Sequence, residues 1–93
     1  IGPHAFEVGP DVHVAYCDAD PGATECFSAL RAGKWLADLP GLARRRLVAS
    51  GVHEVSIDGG CTFSDSARFF SYRRDKHSGR MALVAWLEAH APA

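Results

Sequence analysis

Little in this chain ties it to a membrane, a nucleic acid or a disulfide framework. No stretch approaches the roughly 20 consecutive apolar residues of a membrane-spanning helix. Acidic and basic residues nearly cancel, at 11 and 10, so there is no general electrostatic pull toward nucleic acid or an anionic bilayer. Only three cysteines occur, Cys17, Cys26 and Cys61. An odd count without paired spacing argues against disulfides and for a reducing, cytoplasmic setting. The Cys-x-x-Cys and His-x-x-x-His spacings of zinc sites are absent. No internal repeat, low-complexity run or linker interrupts the chain. No charged segment followed by an apolar core opens it, as a signal peptide would, although Ile1-Gly2-Pro3 is an unusual natural start.

What is present is an ordinary globular balance, 47% hydrophobic and 23% charged. The 93 residues make one small domain, and a domain of this size buries roughly 60–65% of its unfolded surface. Marginal stability in isolation is expected.

Residues 1–6 read as an entering extended segment. Gly9-Pro10-Asp11 is a helix-entry signal, because proline fits the first turn and a carboxylate suits its positive end. Val8, Val12 and Ala15-Tyr16 then give one apolar face. Residues 18–23 contain Pro21-Gly22 and read as a loop. Residues 25–32 read as a short helical turn ended by Gly33.

Residues 34–50 read as the clearest helix. Asp38 can cap, Pro40 sits near the first turn, and Leu39, Leu42, Ala43 and Leu47 form the apolar stripe. Gly51 supplies a left-handed stop. Residues 52–57 alternate as a strand, with Val55 and Ile57 on one face. Residues 58–60 turn the chain, and 67–72 are ambiguous between helical turn and strand. Residues 76–79 turn again, and 81–87 read as a strand covered on both faces. The tail from residue 88 should fray. The fold class is mixed α/β, a sheet with flanking helices.

Several residues invite a functional reading, each with a plainer alternative. Arg73 and Arg74 present two planar forks able to clamp a phosphate or carboxylate. The plainer reading is an ion pair with Asp65 or Asp75. On a strand the two would point to opposite faces. Arg80 is better placed to lock its turn onto loop carbonyls than to meet a substrate. Glu7, between Phe6 and Val8, is either solvent-facing or held by a donor such as an arginine.

Cys61 follows two glycines, where a thiol can serve as a nucleophile if a histidine activates it. Without a local nucleophile motif, a buried inert thiol is the simpler expectation. Arg44, Arg45 and Arg46 fit a solvated helix face better than a nucleic-acid surface. The five histidines lack helical ligand spacing. Phe63, Phe69, Phe70, Tyr72 and Trp86 are most simply core. From these residues alone, no catalytic set can be assembled.

A longer pattern adds to this. The run Phe69-Phe70-Ser71-Tyr72-Arg73-Arg74-Asp75, then a turn, Gly79-Arg80-Met81-Ala82 and an apolar segment, resembles the closing segment of the YfiH-type or laccase-domain family. Its members are also called multicopper polyphenol oxidoreductases or peptidoglycan-editing factors. Ile1-Gly2-Pro3 with Phe6-Glu7-Val8, and Lys34-Trp35-Leu36-Ala37-Asp38-Leu39 with Leu42 to Leu47, resemble earlier family stretches. The likeness runs from residue 1 to about residue 87.

The resemblance implies the C-terminal part of one layered α/β/β/α domain, whose N-terminal metal-binding portion is absent here. It implies a full-length parent holding zinc or copper on two histidines and a cysteine in that other portion, with no metal on this chain. It further implies purine nucleoside phosphorolysis with adenosine deamination. The alternatives are copper-dependent phenol oxidation, peptidoglycan-precursor editing, or a non-catalytic piece that only completes the fold.

On this basis Arg73, Arg74 and Glu7 are substrate-binding candidates, and Arg80 and Cys61 structural ones. The expected partners are the missing N-terminal part, a purine nucleoside and phosphate. An apolar edge left bare would favour a homodimer. Neither nucleic acid nor membrane is expected.

Overall fold

The computed structural model describes residues 1–86. The fold is mixed α/β, built on a small antiparallel sheet. The chain enters through a turn at residues 3–5, closed by the Ala5 N–H on the Gly2 carbonyl at 3.3 Å. The extended entry expected for residues 1–6 is thus replaced by a turn, and pairing starts only at strand β1, Glu7–Val8. Helix α1 follows at Pro10–Ala19, with its proline in the first turn. A 3-10 helix occupies Pro21–Cys26, where a loop was expected. Proline at its start supplies the helical φ without a donor the turn would need.

Strand β2, Phe27–Arg31, and strand β3, Lys34–Ala37, form a hairpin. Its two-residue turn closes because Gly33 takes φ +71°, a conformation that costs glycine nothing. The strand order is β1-β3-β2. Glu7 faces Leu36 and Val8 faces Trp35, while Phe27 faces Ala37 and Ala29 faces Trp35.

This hairpin overturns two sequence expectations. Residues 27–31 are strand and not helical turn, because their backbone groups pair with β3. The long helix begins at Leu39 and not Lys34, because Lys34–Ala37 is the strand between β1 and β2. In both places tertiary pairing outweighs local propensity.

Helix α2 spans Leu39–Ala49, and the Asp38 carboxylate accepts the Gly41 N–H at its start. That bond, 3.1 Å long, satisfies one of the orphan donors of the first turn. At the other end Gly51 takes φ +99°, and the Val52 N–H reaches back to the Leu47 carbonyl at 2.9 Å. The C-terminal end lies where Gly51 was expected to stop the helix, while the N-terminal end lies at the Asp38 cap and not at Lys34. Of the expected stripe, only Leu42 is buried on α2, and Leu47 is largely exposed.

Among the described residues the buried apolar ones are Val8, Ala23, Ala37 and Leu42, and no large side chain is fully buried. Around them, the His13 ring stacks on Trp35 at 4.3 Å and meets the Phe27 ring edge-on at 4.9 Å. Half-buried Val12, His13, Tyr16 and Cys17 make the inner side of α1, while Ala15 is exposed.

Beyond α2 the chain is mostly irregular. Residues 52–57 form no ladder, contrary to the alternating pattern. Turns occupy residues 62–64 and 66–68. A single helical turn, α3, covers Tyr72–Asp75, with Ser71 accepting the Arg74 N–H as its cap. Lys76 closes it in the left-handed region at φ 64°. Residues 81–86 carry no ladder either. Strand pairing needs a neighbour, and none reaches these two segments among the described residues. Leu87 and the tail from residue 88 lie outside the described residues.

Candidate functional site

The 61–75 segment is bound to the start of the chain at two points. The Gly2 N–H donates to the Cys61 sulfur at 3.1 Å. The Arg73 guanidinium donates to the Glu7 carbonyl at 2.7 Å and lies over the Phe6 ring at 4.9 Å. Together these fix α3 against the edge of the sheet, at β1.

Arg73 and Arg74 lie on a helical turn and not on a strand, yet they diverge as a strand pair would. Arg74 reaches back into the preceding loop. Its Nη1 donates to the Thr62 and Phe63 carbonyls at 2.9 and 3.3 Å, and its Nη2 donates to the Phe69 carbonyl at 3.1 Å. Nε and Nη2 also grip the Asp75 carboxylate. Hydrogen bonding to Arg74 holds the Asp75 carboxyl below its usual range, and the same bond raises Arg74. Every guanidinium nitrogen of Arg74 is therefore engaged within the protein.

Arg73 differs. Among the described residues its one hydrogen bond is that from Nη1 to Glu7. Nε and Nη2 remain available for an incoming anion. Nearby, Lys76 and Arg80 lie over the exposed Tyr72 ring at 5.8 and 5.5 Å. Arg80 was expected to bond loop carbonyls; among the described residues it instead stacks on Tyr72. Three exposed cations, Arg73, Lys76 and Arg80, thus occupy one eight-residue stretch. The Glu7 carboxylate pairs with Arg31 and so does not neutralise Arg73. Arg31 escaped sequence reasoning, since its meeting with Glu7 depends on the β1-β3-β2 order.

Cys61 is half-exposed, not buried. Its thiol is pulled down to about 7 by the Ser64 side chain, then by the N–H groups of Gly2, Ser64 and Phe63. No histidine adjoins it among these causes. A separate groove of about 960 Å³ lies between the 3-10 helix and α2, lined by Asp20, Glu25, Cys26 and Arg44 to Arg46 among others. Arg73, Lys76 and Arg80 do not line it.

The family model described as multi-copper polyphenol oxidoreductase laccase matches residues 1–88. The chain belongs to this laccase-domain family. A purine nucleoside phosphorylase of Xylella fastidiosa (strain Temecula1) is 53% identical over 88 residues, covering 92% of this chain and 34% of the relative. Purine nucleoside phosphorylase YfiH of Escherichia coli (strain K12) is 46% identical over 87 residues, covering 94% and 35%. Among solved structures, Neisseria meningitidis protein NMB0706, of family DUF152, superposes with TM-score 0.77 at 47% identity. That match covers 81% of this chain and 31% of the other. The chain spans about a third of the length of the curated relatives it matches.

The family description implies copper. Among the described residues no three His, Cys, Asp or Glu side chains group closely enough to hold a metal ion. The Cys61 sulfur faces the N–H of Gly2 and the side chain of Ser64, which are donors and not co-ligands. The described residues of this laccase-domain segment do not fit a metal by themselves. Among the described residues no helix is long and apolar enough to cross a membrane.

Proposed function

We propose that this laccase-domain chain is the C-terminal part of a cytoplasmic enzyme that splits purine nucleosides with phosphate, and that Arg73 faces the phosphate. The observation that carries this reading is the contrast between the two arginines. Arg74 is saturated by carbonyls and Asp75, while Arg73, held by the Glu7 carbonyl through Nη1, has no partner on Nε or Nη2 among the described residues. The names of the relatives at 53% and 46% identity support the reaction class.

In phosphorolysis a phosphate oxygen forms a bond to the anomeric carbon of the ribose. The glycosidic C–N bond breaks, and its electron pair leaves with the purine, which takes up a proton. Free base and ribose 1-phosphate result. A guanidinium can hold two phosphate oxygens at once, fixing the nucleophile while its repulsion from the electron-rich leaving group is reduced. Tethering by Glu7 and Phe6 limits the rotamers Arg73 loses on binding. Zinc or copper, and adenosine deamination as a second activity, belong in this proposal to the polypeptide beyond the present residues. The 93 residues alone should be inactive.

The test uses a full-length polypeptide in which these residues replace the matched third of the Xylella fastidiosa relative. Phosphate-dependent release of hypoxanthine from inosine is followed by chromatography. Arg73→Ala should raise the KM for phosphate at least about tenfold, the scale of one lost charge-assisted hydrogen bond, with little change in KM for inosine. An unchanged phosphate KM would remove Arg73 from the site. Base release that ignores phosphate would remove the phosphorolysis reading itself.

Phenol oxidation is the second reading, favoured by the polyphenol oxidoreductase description of the matched family. It is distinguished in the same protein by oxygen uptake with a diphenol.

A further inference from the structure

We propose that Asp58-Gly59 is a covalent modification site, at which the Asp58 carboxyl closes on the Gly59 nitrogen to a succinimide that reopens as isoaspartate. This rests on no reaction of the protein.

The chemistry needs an aspartyl carboxyl carbon that can meet the nitrogen of the next residue. Gly59 puts no side chain around that nitrogen. Residues 52–60 carry neither helix nor strand, and both Asp58 and Gly59 are exposed. Among the described residues no backbone hydrogen bond holds the Gly59 N–H. The Asp58 side chain is 74% accessible, and its ion pair with Arg68 is a long one, Oδ2 to Nη2 at 3.5 Å. The same Oδ2 lies 3.1 Å from where a Cβ on Gly60 would stand. The carboxyl is therefore folded forward along the Gly59-Gly60 stretch and not away from it.

The other aspartates lack one requirement or more. Asp11 and Asp18 lie inside α1, whose regular backbone fixes the peptide that follows. Asp20 is held by Arg45 and precedes a proline, whose nitrogen carries no proton to lose. Asp38 caps α2, and Asp75 is gripped by Arg74. Asp65 accepts the Arg68 N–H at 3.2 Å and is followed by a serine. The chain contains no asparagine, so deamidation of these residues cannot supply the same product.

The step needs no redox partner. The Gly59 nitrogen forms a bond to Cγ of the protonated Asp58 carboxyl, and the hydroxyl leaves with the amide proton as water. Water then adds to one of the two imide carbonyls. Breaking the Cγ–N bond restores aspartate. Breaking the bond from nitrogen to the main-chain carbonyl leaves a backbone that runs through Cβ and Cγ, with a free α-carboxylate. That lengthened backbone lies just before Cys61, whose sulfur accepts the Gly2 N–H.

The experiment ages the full-length graft at neutral pH in heavy-oxygen water and digests it. Electron-transfer fragmentation of the peptide containing residue 58 shows whether the backbone passes through Cβ. An isoaspartyl carboxyl methyltransferase counts the free α-carboxylates. Isoaspartate carrying heavy oxygen should accumulate at residue 58, at least as fast as in a free peptide of residues 55–62. Gly59→Ala should lose the signal, because the added methyl hinders the nitrogen while meeting nothing within 4 Å. Asp58→Glu should lose it too, since its ring would need a sixth member.

Three outcomes would overturn the proposal: residue 58 remaining aspartate in the graft while the free peptide isomerises, a Gly59→Ala graft that isomerises as fast as its parent, or isoaspartate at Asp65 in place of Asp58. Every readout is a mass or a methyl count, so loss of the proposed phosphorolysis would leave the result standing.

Discussion

Arg45 holds both carboxylate oxygens of Asp20, Nε on one at 2.7 Å and Nη2 on the other at 3.0 Å. This bidentate pair joins the middle of α2 to the entry of the 3-10 helix, 25 residues earlier in the chain. Gly22 makes the approach feasible, since a Cβ there would collide with the Arg45 guanidinium.

The pair gives stability a defined pH dependence. Hydrogen bonding to Arg45 holds the Asp20 carboxyl below the usual carboxylate range. The folded state therefore binds this proton more weakly than the unfolded state, and stability falls as pH falls. The contribution is complete above the unfolded value of about 3.9 and disappears as pH drops through the lower folded value. Thermal melts of the wild type and of Asp20→Asn should differ by a constant Tm offset above about pH 5 and converge toward pH 2. An offset that persists unchanged at pH 2 would place the effect elsewhere. Gly22→Ala should reproduce the neutral-pH offset by displacing Arg45.

Arg74 is a structural pin, and its loss should read as a folding defect. Removing its guanidinium strands the carbonyls of Thr62, Phe63 and Phe69 and leaves Asp75 without its partner. Arg74→Lys cannot replace this set, because one ammonium cannot span carbonyls and a carboxylate in a planar fork. In the full-length graft, Arg74→Lys should lower Tm by a few degrees, roughly the 2–4 °C that one kcal/mol represents in a domain about three times the length of this chain. The phosphate KM of the remaining folded protein should stay within about twofold. The opposite pattern, a raised KM with unchanged Tm, would make Arg74 a ligand-binding residue.

Cys61 should be the reactive thiol. With its pKa near 7, alkylation by iodoacetamide should rise with pH through a midpoint close to neutrality. Cys26, whose thiol is pushed up by burial and then by the Asp38 charge, should react later and more slowly. Ser64→Ala removes the largest influence on Cys61 and should move its midpoint upward. Mass spectrometry of labelled peptides reads all three cysteines at once. Equal rates at Cys61 and Cys26 across pH 6–9 would contradict this arrangement.

Local signals were the legible ones. Gly51 marked the end of α2, and Asp38 was named as a cap although the helix was expected to start at residue 34, because capping depends on neighbours within one turn of the chain. The same holds for Gly9-Pro10 at the start of α1. The strands were less legible, for a physical reason: Phe27–Arg31 has no strong strand period, and only the Trp35 and Leu36 backbone opposite makes it a strand. Conversely, residues 52–57 and 81–86 carry strand patterns without, among the described residues, the neighbours that would turn them into ladders. The candidate site was legible as residue types, arginines near Glu7, and not as contacts. That Arg74 would spend its nitrogens on three carbonyls, leaving Arg73 free, depends on the loop at 62–69 folding back over α3. The Glu7 carboxylate did meet an arginine, but Arg31 across the sheet; Arg73 reaches only the Glu7 carbonyl.

The tight turn at Gly33 also sets an order of events during folding. Its hairpin joins strands separated by two residues, and such hairpins close in about 1–10 μs. The contact between Gly2 and Cys61 closes a loop of 59 residues, with a correspondingly larger entropy to overcome. The β2–β3 ribbon therefore forms as an early nucleus, and attachment of the 61–75 segment to the first residues comes late. Substitutions at the ribbon turn should slow refolding, while substitutions at Cys61 should chiefly speed unfolding.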